Sequence, residues 1–118
     1  MLVTPAAIYA AQHGITEIAL GTLSGNPFND ARPDFFRQVS RCLSQALARP
    51  IQVTAPLRRL SKAMLIASMP GEPFHLTFSC MQPLGRRHCG RCNKCAERMR
   101  AFRAAGVIDR TTYHHSYT

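Results

Sequence analysis

Four of the five cysteines lie close together in the second half of the chain, as Cys80-x8-Cys89-x2-Cys92-x2-Cys95. A C-x2-C step lets a tight turn aim two sulfur atoms at a point about 2.3 Å from a metal ion. Cys95 at the start of the last predicted helix and Cys80 before the turn complete a tetrahedron, which leaves no position for a metal-bound water. The spacing therefore predicts a structural zinc site.

Two other uses of these cysteines remain open at this point. Disulfides are disfavoured, because the sequence has neither a secretory signal nor an apolar run long enough to cross a bilayer, and we expect a cytoplasmic protein. The C-x2-C-x2-C run also matches part of the ferredoxin iron-sulfur pattern, but the fourth ferredoxin-type cysteine and its proline are absent downstream. Cys42 lies on the apolar side of a predicted helix and is expected in the core. His88 is expected to neighbour the ligands.

Positive charge is concentrated beside the cysteines. Fifteen Lys and Arg against six Asp and Glu give a formal net charge of +9. Most of the excess lies in one basic segment whose only acid is Glu97; its members are Arg86, Arg87, Arg91, Lys94, Arg98, Arg100 and Arg103. We expect these side chains to stabilise the thiolates by lowering their pKa values and donating to sulfur. The same segment admits a different function, a zinc-stabilised nucleic-acid-binding module.

Hydrophobic periodicity predicts an α/β chain in which strand, helix and strand form a parallel crossover. The predicted helices cover 2–13, 34–48, 61–68 and 96–105, the strands cover 15–20 and 51–54, and 74–78 is predicted to be extended. We expect a partial α/β nucleotide-hydrolase-like region over 1–76 and a four-cysteine, zinc-binding helical region over 77–118. The polar tail 114–118 is expected to fray. Short strands leave edges unpaired, which favours a homodimer.

Three stretches resemble the ExsB family of 7-cyano-7-deazaguanine synthases. The first comprises Thr77-Phe78-Ser79-Cys80 and then Cys89-Gly90-Arg91-Cys92 with Cys95, Arg98, Phe102, Gly106 and Asp109 in the family's order and spacing. The second is Asn29-Asp30-Ala31-Arg32-Pro33-Asp34-Phe35, similar to the family's substrate-side loop. The third is Pro56-Leu57-x2-Leu60-Ser61-Lys62, similar to its later lysine segment.

The resemblance implies the C-terminal part of an adenine-nucleotide-hydrolase-like (Rossmann-like) parallel sheet fold with a helical zinc-binding extension. It implies ligase chemistry of queuosine precursor biosynthesis, in which ATP and ammonia convert 7-carboxy-7-deazaguanine to the nitrile. Asp30 and Arg32 would then line the pocket for the deazapurine carboxylate, and Lys62 would face nucleotide phosphate. No catalytic residue is assigned.

Departures from the family's pattern bear on ATP. The glycine- and serine-rich phosphate loop, Ser-Gly-Gly-x-Asp-Ser, does not occur in these residues, and Arg110 replaces the proline expected after Asp109. We therefore expect weak ATP binding and no catalysis by the isolated chain. A fragment, a split subunit or a decayed copy would fit, and so would a partner that is either a second copy or an N-terminal half carrying the phosphate loop.

Overall fold

The computed structural model describes residues 2–115 and divides them into two compact units, one ending at Ser61 and the other starting at Lys62. Each unit has its own cluster of buried apolar side chains. This division lies upstream of the domain boundary predicted after residue 76, because Ile66 and Phe74 pack with Phe102 in the second unit.

The first unit is built on a two-stranded parallel sheet. Its elements are α1 (Val3–Gln12), β1 (Glu17–Ala19), a 3-10 turn (Asn29–Ala31), α2 (Pro33–Leu47) and β2 (Gln52–Thr54). Glu17 is opposite Gln52 and Ile18 is opposite Val53 in the register. The predicted crossover of strand, helix and parallel strand is therefore confirmed.

Helix α2 supplies much of the first core. Pro33 opens the helix with the fixed φ that suits its first turn, and Ala48 closes it in the left-handed conformation at φ 49. Phe36, Val39 and Leu43 recur at helical spacing and are buried against a cluster that includes Val3, Ala7, Ala10, Ile51, Val53 and Ala55. The predicted burial of Cys42 is wrong: its side chain is exposed, since it lies about 100° around the helix from Leu43.

Serine side chains of α2 close the outer edge of β2. The Val53 N–H donates to Ser40 Oγ at 2.9 Å. The Ile51 N–H donates to Ser44 Oγ at 2.9 Å, and the Ser44 hydroxyl donates to the Ile51 carbonyl at 3.0 Å. Three of the backbone groups that a further strand would use at this edge are therefore already paired.

The second unit contains α3 (Lys62–Ser68), a 3-10 turn (Phe74–Leu76) and α4 (Asn93–Ala105). The predicted extended conformation is wrong for the first part of 74–78, because the Leu76 and Thr77 N–H groups donate to the Pro73 and Phe74 carbonyls at 2.9 Å. Helix α4 begins before its predicted start at residue 96, because extended Cys92 caps it and accepts from the Ala96 N–H at 3.0 Å.

The residues after α4 return to the cysteine segment. The His114 N–H donates to the His88 carbonyl at 2.8 Å, and the His115 N–H donates to the Cys89 carbonyl at 3.3 Å. The predicted fraying is therefore wrong for these two histidines, while 116–118 lie outside the described residues. Among the helices described, none is both long enough and apolar enough to span a bilayer.

Candidate metal centre

The structure brings the four clustered cysteines to one point. The sulfur atoms of Cys80, Cys89, Cys92 and Cys95 all lie within 4.8 Å of one another. Sulfur–sulfur distances are 3.9 Å for Cys80 and Cys92, 3.9 Å for Cys89 and Cys95, and 3.5 Å for Cys92 and Cys95. A tetrahedral ion with bonds of about 2.3 Å requires edges of about 3.8 Å. The arrangement fits a metal ion, and these distances exceed the S–S bond of about 2.05 Å.

Different elements present the four sulfurs. Cys80 lies three residues after Thr77, which is extended. Cys89 and Cys92 flank a tight turn, and Cys95 lies fully buried in the first turn of α4. Gly90 forms the turn at φ +81, and a Cβ there would lie 2.0 Å from the His115 carbonyl oxygen. Glycine is therefore required at this position for its conformation and for space.

Backbone N–H groups provide the hydrogen bonds to sulfur. Cys80 Sγ accepts from the Cys89 N–H at 3.2 Å and from the Gln82 N–H at 3.3 Å. Cys89 Sγ accepts from the Cys92 N–H at 3.3 Å and from the Arg91 N–H at 3.4 Å. The prediction that basic side chains donate to sulfur is wrong for the described residues, where backbone N–H groups are the donors instead.

The thiols differ in acidity. Hydrogen bonds from the Met81 and Cys95 backbone lower the pKa of Cys92 to about 6, whereas burial raises the pKa of Cys95 to about 12. Four thiolates cannot ionise side by side in a buried site unless a cation compensates them. This donor set therefore fits a soft divalent ion, held without an open coordination position.

Arg98 is a buried residue that was expected only as a member of the basic segment and of the motif shared with the family, with no contacts assigned to it. Its guanidinium donates to Thr111 Oγ1 at 2.9 Å, Thr77 Oγ1 at 2.9 Å, Ser79 Oγ at 3.2 Å and the Phe74 carbonyl at 2.6 Å. These bonds join α4 to the segment that leads into Cys80. Two features of the sequence point to it: its place in the family-like motif, and its position one turn after Cys95 on the same side of the helix.

His88 neighbours the ligands without being one of them, as predicted. It is 3% exposed, and its Nε2 accepts from the Ser79 N–H at 3.1 Å. Burial, and then the positive charge of Arg98, lower the pKa of His88. The neutral ring therefore supports the residue that precedes Cys80.

The structure places the three predicted ligand-binding residues in different elements. Asp30 is exposed in the 3-10 turn, and Arg32 is exposed at the start of α2. Lys62 is the first residue of α3, and its Nζ lies 2.5 Å from Glu97 Oε1. Hydrogen bonds from Lys62 and Lys94 lower the pKa of Glu97 to about 2. The assigned roles of Asp30, Arg32 and Lys62 in ligand binding stay predictions.

The fold and the site define a class: an α/β protein with a parallel strand-helix-strand unit and a four-cysteine metal centre at the start of a helix. The model of one family, described as queuosine biosynthesis protein QueC, matches residues 1–106. The chain belongs to this family.

Curated relatives agree with the family match, and each of those compared is named 7-cyano-7-deazaguanine synthase. The protein of Agrobacterium fabrum is 39% identical over 88% of this chain and 46% of its own length. The protein of Anaeromyxobacter dehalogenans is 35% identical over 81% of this chain and 44% of its own length. The protein of Methanothrix thermoacetophila is 35% identical over 98% of this chain and 54% of its own length. The chain thus spans about half the length of the curated relatives that it matches.

Proposed function

We propose that this chain forms the metal-binding part of a 7-cyano-7-deazaguanine synthase. The observation that carries the proposal is the family match over residues 1–106, which runs through the four metal-binding cysteines. The reaction would be the ATP-dependent conversion of 7-carboxy-7-deazaguanine and ammonia to the nitrile. Asp30 and Arg32 are proposed to contact the deazapurine carboxylate, where an arginine offers two parallel hydrogen bonds. Lys62 is proposed to serve nucleotide phosphate.

The metal is proposed to be zinc. Four thiolates in a closed tetrahedron are the donor set of structural zinc sites, and the site leaves no position for a bound water. Zinc here would organise the turn 89–92 and the start of α4, and would take no part in the reaction. Elemental analysis of chain purified without added metal should give one zinc per chain, and iron with sulfide in its place would contradict the assignment.

ATP binding is proposed to need a further segment, because the glycine-rich phosphate loop is absent from these residues. Within residues 2–115 the edge of β1 opposite β2 pairs with no strand, and such a segment would join there. The Gln52 N–H donates to the Thr16 carbonyl at 2.7 Å, and the Leu20 N–H donates to the Thr54 carbonyl at 2.8 Å. Because successive residues of a strand point their backbone groups to opposite sides, those of Glu17 and Ala19 point away from β2. The opposite edge of the sheet, at β2, is closed by serines. A strand from the loop-bearing segment is therefore proposed to pair with β1.

Complementation tests this proposal. The chain would be mixed with the part of the Agrobacterium fabrum relative that lies outside the matched region, together with ATP, 7-carboxy-7-deazaguanine and ammonium. We expect AMP and nitrile from the mixture and from neither component alone. The variant that tests strand pairing is the same mixture with Ala19→Pro, since proline removes one backbone N–H at the β1 edge. Turnover by the isolated chain would contradict the need for a partner segment.

A further inference from the structure

A basic groove runs along α2 and the outer edge of β2, away from the metal centre and from the residues proposed to bind the substrate and ATP. It consists of two adjoining, open surface depressions of about 360 and 640 Å³, and both are lined by Ser40 and Arg41. Arg37 and Arg58 line the first cavity, and Arg49 lines the second. No Asp or Glu lines either cavity. This surface is called the α2 groove below.

Most of the positive charge in the α2 groove is uncompensated. Arg37 forms an ion pair with Asp34. Within residues 2–115, the guanidinium groups of Arg41, Arg49 and Arg58 make no ion pair or hydrogen bond to protein, and all three residues are exposed. Cations gathered in a groove raise the local concentration of anions. The groove is therefore suited to a ligand that carries negative charge.

The shape of the groove favours an elongated ligand. From Arg37 to Leu47, α2 rises about 15 Å, which equals the length of about four phosphates along one strand of B-form DNA. A single phosphate would engage only one or two of the guanidinium groups. A β-strand is disfavoured as the occupant of this edge, because Ser40 and Ser44 already bond the Ile51 N–H and carbonyl and the Val53 N–H.

We propose that the α2 groove binds the sugar-phosphate backbone of a nucleic acid without reading its sequence. Arginine donates two parallel hydrogen bonds to a phosphate, and such contacts fix position and carry no base information. The proposal is independent of the synthase function. It also differs from the nucleic-acid hypothesis raised by the sequence, which placed binding on the basic segment from Arg86 to Arg103.

Fluorescence anisotropy with the full, metal-loaded chain tests the proposal. The probe is a fluorescein-labelled single-stranded RNA, titrated at several salt concentrations. The test variant is Arg41→Glu with Arg58→Glu, and the matched control is Arg100→Glu with Arg103→Glu. All four side chains are exposed, and the two double variants change the net charge equally. Far-UV circular dichroism would check that both remain folded.

We expect the groove variant to lose about tenfold or more in affinity, and its salt slope to fall by about 1.4, or 0.7 for each phosphate contact removed. The control should keep most of its affinity, and a DNA strand should bind about as well as RNA. Equal losses of affinity in both variants would mean that only the net charge matters. A larger loss of affinity in the control would mean that the basic segment binds the nucleic acid. Competition by inorganic pyrophosphate at the same phosphate concentration would indicate a small-anion site. Each of these three results would overturn the proposal.

Discussion

Replacing Arg98 by lysine tests whether the second unit depends on the arginine network as well as on the metal. Arg98 is 5% exposed and donates four hydrogen bonds through three different nitrogens. Lysine keeps the charge but has a single nitrogen, so it cannot reach Thr111, Thr77 and Phe74 together. The substitution therefore removes hydrogen bonds that need the guanidinium shape and keeps the positive charge.

The expected cost follows from these contacts. A hydrogen bond from a charged group contributes about 1.5–3 kcal/mol, and the bonds of one guanidinium are not additive. The guanidinium also lies 5.2 Å from the centre of the Phe102 ring, which adds about 0.5–1 kcal/mol. Loss of about two of the four bonds costs about 3–5 kcal/mol at that value. We expect Arg98→Lys to lower the free energy of unfolding of the second unit by that amount.

Amide hydrogen exchange on residues 93–105 measures the loss locally. Since about 1.4 kcal/mol corresponds to a factor of ten, exchange through global opening of α4 should accelerate by between about one hundred and several thousand. Arg100→Lys is the control, because Arg100 lies exposed on the same helix. Elemental analysis should show equal metal in both variants, so that metal loss does not account for the difference.

One outcome would refute this reasoning. If Arg98→Lys and Arg100→Lys exchange at the same rate with metal bound, the metal alone holds the unit together and the hydrogen bonds of Arg98 contribute no net stability. Faster amide exchange of Arg98→Lys that is seen only after the metal is chelated would point to the same conclusion.

Three further outcomes are expected. With metal bound, a thiol reagent should react rapidly with Cys42 alone, because the other thiols are ligands, and four more should react after chelation. Gly90→Ala should cost about 1–3 kcal/mol and weaken metal binding, seen in a competition titration, because its φ is +81 and a Cβ meets His115. Glu97→Gln should cost up to about 1 kcal/mol at pH 7 in urea unfolding, because the ion pair with Lys62 is partly exposed. The lowered pKa of Glu97 makes that contribution complete above 4.5 and lost as the pH falls towards about 2.

Each of these outcomes has a control that separates the stated cause from a general loss of stability or of metal. Gly71→Ala is the match for Gly90→Ala, because a Cβ at Gly71 meets nothing within 4 Å. Metal loss in acid should be the same for Glu97→Gln and the unaltered chain, so the difference between their free energies of unfolding, compared at pH 7 and pH 3, isolates the ion pair. More than one rapidly reacting thiol in metal-loaded protein would contradict the four-sulfur site, and a constant difference between the two pH values would contradict the role of Glu97.

Periodicity predicted the helices and strands of the first unit to within a few residues, because one apolar face decides their burial. The same rule failed for Cys42, whose place beside Leu43 turns it just outside the buried face. It also failed for 74–76, where the extended reading rested on apolar residues and the chain instead forms a 3-10 turn whose Phe74 carbonyl accepts from Arg98.

The spacing of Cys89, Cys92 and Cys95 by itself determined that three sulfurs can meet, because the turn 89–92 and the first turn of α4 set those positions through local backbone geometry. Cys80 is held beside them by hydrogen bonds that join its own segment to His88, Cys89 and Arg98. Only the tertiary structure decided which charges are buried and which are free. Arg98 and Arg100 are neighbours in one basic run, yet distant segments around Thr77 and Thr111 enclose the first and leave the second in solvent. The closure of the β2 edge by Ser40 and Ser44 is likewise tertiary, because a serine in a helix gives no local sign that its hydroxyl will meet the backbone of a later strand.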